Sequence, residues 1–369
     1  MRRRRFSRVL VLGLTGVLVV SSALAQGLDD NIRVNGFVSQ GYLNTDEVDY
    51  LIPNSRDGSA LFTEAAVTIT AMPTERLRIA AQFLARTFGE TGGVTLDWGY
   101  GDYRWRDALG VRAGKVKLPH GFYNEVRYLD FLRTPVFLPQ AVYNEDYRDF
   151  LQAYAGVGAY GNVEIGEVGE LDYHVYGGTL NVPDATTGFW YDSYRALAET
   201  IEPVVEEVAE LEYPPGTAEA DLVELLDPRV TFPYIYGGAL TWNTPLESLR
   251  VGATLLGGSF NYTTTFRYDV TMTNPGDPPR YYPINLEFED DSDIDHIMVL
   301  SGEYAHEDLL LVGEYSDSRI NDNTTEGWYL LADYRLFEPL SVAGIYSVFY
   351  DDKDNRDGSN YEAIGLPSY

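Results

Sequence analysis

The sequence predicts an all-β fold, a transmembrane antiparallel β-barrel, and three observations carry that prediction. Apolar and polar residues alternate with a period of two in segments of about ten residues that recur from end to end, the pattern of strands with one face in lipid and one in a lumen. Beyond the N-terminus no apolar stretch approaches the ~20 residues that a membrane helix needs. Tyrosine, at 29 residues, outnumbers phenylalanine, at 16, and is spread along the chain beside 35 glycines, a composition suited to the aromatic girdles of such strands.

The chain opens on MRRRRFSRVLVLGLTGVLVVSSALA, which joins an arginine-rich start to the apolar run Val9 to Val20 and to Ala23-Leu24-Ala25. This is the order of a Sec signal peptide with an A-x-A cleavage site, so residues 1–25 are expected to be removed. The run is too short for a retained anchor, which needs about 18 apolar residues. Removing five arginines from 27 basic residues leaves 22 against 56 acidic ones, a formal charge of −34. Nucleic acid is thereby excluded as a partner, because phosphate binding needs a basic footprint. With no cysteine there is no disulfide, thiol nucleophile or acylated anchor. The four histidines, His120, His174, His296 and His306, are scattered without an H-E-x-x-H pairing, and no G-x-S-x-G occurs. Neither an enzyme nor a bound cofactor is expected.

Thirteen strands follow, near 31–43, 60–71, 77–88, 94–105, 109–118, 153–165, 170–181, 234–243, 249–265, 293–305, 309–317, 327–337 and 340–350. In the second, Ala65, Val67, Ile69 and Ala71 are expected on lipid and Glu64, Thr68 and Thr70 in the lumen. In the twelfth, Trp328, Leu330, Ala332, Tyr334 and Leu336 share one face, with Asp333 and Arg335 on the other. Alternation alone also fits a soluble sandwich, and connector lengths decide between them. Links of two to five residues follow the even strands, whereas long polar segments, including 44–59, 119–152, 182–233, 266–292 and 318–326, follow odd ones. That sorting is the mark of short periplasmic turns and long outer loops.

Two long segments stand apart. Residues 193–226 carry Leu197, Ile201, Val204, Val205, Val208 and Leu211 at helical spacing, which predicts one or two short helices interrupted at Pro214-Pro215 within the 182–233 loop. Such an insertion is either a solvated addition or a cap or subunit contact. Residues 119–152 are too apolar to hang in water, since Leu129, Phe131, Leu132, Val136, Phe137 and Leu138 need burial, and the inside of the barrel wall offers it. After the thirteenth strand, Asp351 to Gly358 reads as an outer loop. An even count then requires more chain, about three further strands for a total of 16; a miscount near 266–292 gives fourteen instead.

A barrel that starts directly after the signal, with an inward third outer loop between strands five and six, resembles the general trimeric porins of Gram-negative outer membranes. The run Arg112-Ala113-Gly114-Lys115-Val116-Lys117-Leu118-Pro119-His120-Gly121 is similar to the strand-five motif of the phosphate-selective porin O and P group. The resemblance implies a passive water-filled channel, a homotrimer, and residues 119–152 folded into the lumen as a constriction. Phosphate selectivity does not carry over, because the chain has only three lysines, Lys115, Lys117 and Lys353.

Selectivity in a channel comes from width and charge at the narrowest point. Alternation in strand three puts Leu77, Ile79, Ala81 and Phe83 on lipid and Arg76, Arg78, Gln82 and Arg86 inward, where arginine avoids the ~2–4 kcal/mol cost of the lipid face. Arg104, Arg106 and Arg112 on the next two strands extend this basic wall, with a less clean parity, since Val111 and Lys115 fall on one face unless Gly114 marks a bulge. The third loop offers Glu125, Asp130, Glu145, Asp146 and Asp149 against it. Wall and loop either set a transverse field across the bore or pair to pin the loop. The acidic run Glu287, Glu289, Asp290, Asp291, Asp293 and Asp295 lacks a fixed ligand spacing and reads as a solvated cluster, bridged by divalent cations to lipopolysaccharide, rather than as a metal site. The expected function is a porin-type diffusion channel leaning to cations or neutral solutes on its acid excess. The alternative is a plugged structural or surface-binding barrel without conductance.

Overall fold

The computed structural model describes residues 9–16, 31–45, 51–52, 54–87, 93–127, 137–145, 147–182, 188–212, 216–337 and 340–357. Fourteen strands among them form one sheet in strict sequence order: β1 (Val9–Gly16), β2 (Ile32–Thr45), β3 (Ser59–Thr74), β4 (Leu77–Arg86), β5 (Val94–Arg106), β6 (Leu109–Lys117), β7 (Ala153–Glu164), β8 (Glu170–Leu180), β9 (Thr217–Asn243), β10 (Leu249–Thr273), β11 (Arg280–His306), β12 (Leu309–Ile320), β13 (Asn323–Phe337) and β14 (Leu340–Tyr350). Pairing is antiparallel from β1 through β9 and from β11 through β14. The thirteen expected strands are β2–β14. The additional strand is the apolar run expected to be cleaved, which in the uncleaved chain pairs with the open edge of β2 from Val9↔Thr45 to Gly16↔Val38.

The chain divides into two units. The first holds residues 1–181, 234–258 and 293–369. Along β3, β4, β7 and β13 one face is buried and large apolar side chains lie on the other: Val67 is 47% exposed, Val157 55% and Leu330 59%, while Ala66, Leu84, Tyr154 and Tyr329 are buried. A sheet that presents large apolar side chains on its outward face has the polarity of a wall set in lipid. The inward positions agree with the alternation read from the sequence, with Glu64, Gln82 and Arg86 buried and Ile79 and Phe83 exposed. Short links join β3 to β4 at Glu75-Arg76 and β5 to β6 at Asp107-Ala108. No helix among the described residues is long and apolar enough to cross a membrane.

Two connectors differ from the expected lengths. β12 and β13 meet at the two-residue turn Asn321-Asp322, with Asn321 at φ 52° as a tight hairpin turn requires, so 318–326 is strand rather than loop. The segment 266–292 likewise belongs mostly to β10 and β11, separated only by 274–279. Its polar residues alternate with Phe266, Tyr268, Val270 and Met272, all buried, and that period-two pattern outweighs overall polarity.

The second unit, residues 182–233 and 259–292, explains the burial. Helices α2 (Gly188–Thr200) and α3 (Glu202–Glu212) lie on the prolonged β9–β11 strands. Trp190 packs edge-on against Phe260, Tyr194 stacks on Tyr262 with ring centroids 3.5 Å apart, and the Tyr268 hydroxyl donates to the Ala198 carbonyl at 2.8 Å. The helical reading of 193–226 is thus corrected at both ends: helix begins at Gly188, and from Thr217 the chain is strand. Pro214-Pro215 lie outside the described residues. Strand prevails after Thr217 because the backbone amides of Ala218, Ala220 and Leu222 donate to the carboxylates of Glu210, Glu206 and Glu202 at 2.9–3.0 Å. Glutamates four apart on a helix recur every ~6 Å and alternate strand amides every ~6.6 Å, so one ladder fits the other. These amides belong to a part of β9 beyond its last register partner on β8, at Ile235, and the helix supplies the acceptors the free edge lacks.

Candidate functional site

The connection from β6 to β7 is the segment the sequence marks as too apolar for solvent, and in the first unit it touches strands from both sides. It leaves β6 through Leu118, buried at 1% exposure, and the Asn124 side-chain amide donates to the carbonyls of Leu118 and Leu151, tying its start to its end. Gly121 follows at φ 57°, where an added Cβ would stand 2.3 Å from the Tyr143 hydroxyl, so both conformation and space require glycine. The turn delivers Phe122 and Tyr123 to β10–β12. There Glu314, a carboxylate on β12 with its side chain buried, accepts from the Phe122 amide at 2.8 Å, the Tyr329 hydroxyl at 2.7 Å, the Ser301 hydroxyl at 2.6 Å and the Tyr143 hydroxyl. Tyr123 donates to Glu303 at 2.6 Å, and Arg250 holds Glu303 with two bonds of 2.8 Å while stacking on Phe122. Around these bonds Leu138, Val142 and Tyr143 pack on Val299, Val312, Tyr329 and Leu331.

The same connection is pinned on its other side to β3–β5. Arg86 of β4, with 2% of its side chain exposed, binds Glu145 at 2.9 Å and lies 3.8 Å from Glu64 of β3. Arg127 reaches Glu145 at 3.5 Å and donates to the Tyr143 carbonyl at 2.8 Å. Arg148, in the short helix α1 (Arg148–Leu151), pairs with Asp97 of β5 at 2.9 Å, both side chains buried. Phe137 meets Phe62 of β3 edge-on at 4.8 Å. His120, 7% exposed, donates from Nε2 to the Val142 carbonyl at 3.0 Å; burial and the nearby Arg127 hold its pKa down at about 4. Burial likewise raises the Tyr143 hydroxyl well above the ordinary phenol value, so it serves Glu314 as a donor.

A basic cluster occupies the wall below this segment. Asp102 of β5 accepts from Arg78 of β4 at 2.9 Å and from the Tyr160 hydroxyl of β7, and Arg112 of β6 lies 3.6 Å away. Arg112 sits over the Tyr160 ring at 4.1 Å, and its nearest loop acid is Glu125 at 3.9 Å. Tyr160 lies flat because Gly110 on the neighbouring strand leaves it room: a Cβ there would meet the ring at 2.4 Å. A cavity of about 320 Å³ runs along this wall past Arg76, Arg78, Arg104 and Arg112, and a second of about 250 Å³ continues from Arg104 and Arg112 past His174 to Asp172 and Thr241.

The expected residues divide accordingly. Arg76, Arg78, Arg104 and Arg112 share a wall, although Arg104 is engaged with Asp107 at 3.1 Å. Gly114 takes φ 132° without slipping the register on either side, so Arg112 faces inward with no bulge. Arg106 is exposed at the end of β5 and lines neither cavity. Arg86 and Glu145, expected either to face each other across the bore or to pin the loop, are bonded to each other as a buried pin. Asp130 and Asp146 lie outside the described residues, as does the side chain of Asp149. The acidic run lies on β11, where Glu287, Glu289, Asp291, Asp293 and Asp295 are exposed; among the described residues no cluster of metal-ligating groups forms. Sequence reasoning missed Glu303, Glu314, Asp97 and Asp102. The parity of β12 marks Glu314 as inward beside Val312, but its partners Phe122 and Tyr143 are 192 and 171 residues away in the chain, and no local pattern reveals them.

No protein-family model matches the chain, and no curated protein matches it. Among solved structures, a triple mutant of the Rhodopseudomonas blastica porin is 11% identical, with 86% of this chain and 94% of that chain covered at a TM-score of 0.37. An anion-selective porin from Comamonas acidovorans is 10% identical, with 94% and 90% covered at a TM-score of 0.36. Likeness at these scores carries no weight for function, and the fold stands on the strand pairing and side-chain contacts described above.

Proposed function

We propose that the chain is an outer-membrane diffusion channel of porin type in which the β6–β7 connection narrows the bore. The observation that supports this best is that one connection is hydrogen-bonded to β3–β5 through Arg86, Arg148 and Asp97 and to β10–β12 through Glu303 and Glu314. A segment held from both directions by strands that expose apolar residues on their other face belongs inside a lipid-set wall. The expected Sec signal and the exposed apolar faces favour the outer membrane as its place, and a homotrimer is the assembly the sequence resemblance implies.

Charge at the wall favours small anions over the cations suggested by the acid excess. Beside the β4–β6 strands the cavity presents Arg76, Arg78, Arg104 and Arg112 against Glu75 and Asp102, with Asp107 a third acid held on Arg104 at 3.1 Å, so the arginines still exceed the acids by one. The acids that give the chain its net charge include a row on the exposed side of β11, and Glu145, Glu303 and Glu314 are occupied as anchors. Local charge at a narrowing, rather than the total, selects ions. Osmotic swelling of liposomes containing the folded protein tests the reading: neutral sugars are expected to enter at rates that fall steeply with size. Liposomes that admit none of them, while the protein is correctly inserted, would favour the plugged barrel.

A further inference from the structure

The second cavity differs in character from the first. Its Arg104 and Arg112 end is continuous with the basic cluster, but its far wall carries Asp172 of β8. The Asp172 carboxylate accepts from two side-chain amides, Asn162 at 2.7 Å and Asn243 at 3.0 Å, and no ion pair to it occurs among the described residues. Amides orient a carboxylate without neutralising it. At the other end Asp107 holds Arg104 at 3.1 Å and Arg112 lies 3.6 Å from Asp102 and 3.9 Å from Glu125, but the buried Arg112 Nε has no hydrogen-bond partner among the described residues, which leaves a donor for a ligand facing Asp172. Between them lie Tyr160 and His174, opposite each other on β7 and β8.

The register sets the span. The Tyr160 ring lies over Gly110, and Arg112 sits on that ring. From Gly110, pairing runs to Tyr160 and on to His174, and Asp172 is two residues further along β8. Two strand spacings and two residues make about 12 Å between backbone positions. The aspartate side chain shortens this by about 2–3 Å. Two charged hydrogen bonds of ~2.8 Å then leave room between the poles for a few bonded atoms.

We infer that this cavity binds small zwitterions, of amino-acid to dipeptide size, with the carboxylate on Arg112 and the ammonium on Asp172. The assignment rests on the bore reading for its physiological role, since it makes the cavity a station on the solute path. A simple anion satisfies the arginine and leaves Asp172 facing it; a simple cation does the reverse. Only a solute with both charges uses both ends.

The test is isothermal calorimetry on the folded protein in detergent micelles at neutral pH, with alanyl-alanine, propionate and ethylammonium as probes. Alanyl-alanine is expected to bind about tenfold more tightly than either single-charge probe, as one further charged hydrogen bond provides. Asp172→Asn, which keeps the amide partners, should reduce it to the level of propionate, and Arg112→Gln to that of ethylammonium. Equal binding of alanyl-alanine and propionate to the wild type, or an Asp172→Asn protein that keeps the preference, overturns the assignment. Single-channel recording of the same preparation separates the two readings. Conductance with flat calorimetry removes the zwitterion site and leaves the channel; binding without conductance leaves the site and removes the channel.

Discussion

Glu314 concentrates much of the hold on the β6–β7 connection in one carboxylate. Four donors converge on it, from β11, β13 and two points of the connection, so truncation strands several buried polar groups at once. Glu314→Ala is expected to lower stability by about 3 kcal/mol. Thermal unfolding followed by the gel shift of heat-modifiable protein reads it, along with faster protease cleavage between Phe122 and Tyr143. His120 makes a second residue-scale prediction. Its folded pKa of about 4 lies below the ordinary histidine value of 6.5, so its contribution to stability is complete above pH 6.5 and is lost as pH falls from there to about 4. The loss amounts to about 3 kcal/mol. Wild-type protection of the connection from hydrogen exchange should fall across that window, and His120→Gln, which keeps a donor for Val142, should show a flatter profile. A wild type and variant with identical pH dependence would remove His120 as the cause.

At the scale of elements, α3 protects an edge. Glu202, Glu206 and Glu210 satisfy alternate amides of β9 along a stretch that also holds Pro228 and Pro233, residues that suit an edge because they need no acceptor. Replacing the three glutamates by glutamine keeps an acceptor and should cost little; replacing them by alanine should speed amide exchange at Ala218, Ala220 and Leu222 by at least tenfold, at about 1.5 kcal/mol or more per charged bond. Equal exchange in the two triple variants would mean the helix shields the edge by contact alone. This element also shows where sequence reading ends. All thirteen strands were legible because lipid enforces a period of two on each of them independently. The helices were legible from Leu197, Val204 and Val208. The boundary at Thr217 was not, because Ala218-Glu219-Ala220-Asp221 suits either state until three glutamates from another element choose the extended one. The candidate site divides in the same way. Arg78 could be assigned to the inward face from parity. Arg112 was less legible, because Val111 and Lys115 share a face of its strand, and the bonds joining Arg86 to Glu145 and Phe122 to Glu314 depend on contacts 59 and 192 residues apart.

For the molecule as a whole, function follows from where charge sits rather than how much there is. The acid excess suggests a cation path; the described wall presents arginines, with Asp102 shared between Arg78 and Arg112 and several inward glutamates spent on anchoring. Arg112→Gln should therefore weaken anion preference, and Arg106→Gln, at an exposed position outside both cavities, should leave it unchanged. The most direct measurement is single-channel recording across a planar bilayer with a potassium chloride gradient. A porin-type bore with this wall should give stepwise openings whose reversal potential has the sign of chloride preference and moves toward zero in Arg112→Gln. Folded, inserted protein that never conducts, or a cation-selective current indifferent to Arg112, would contradict that reading.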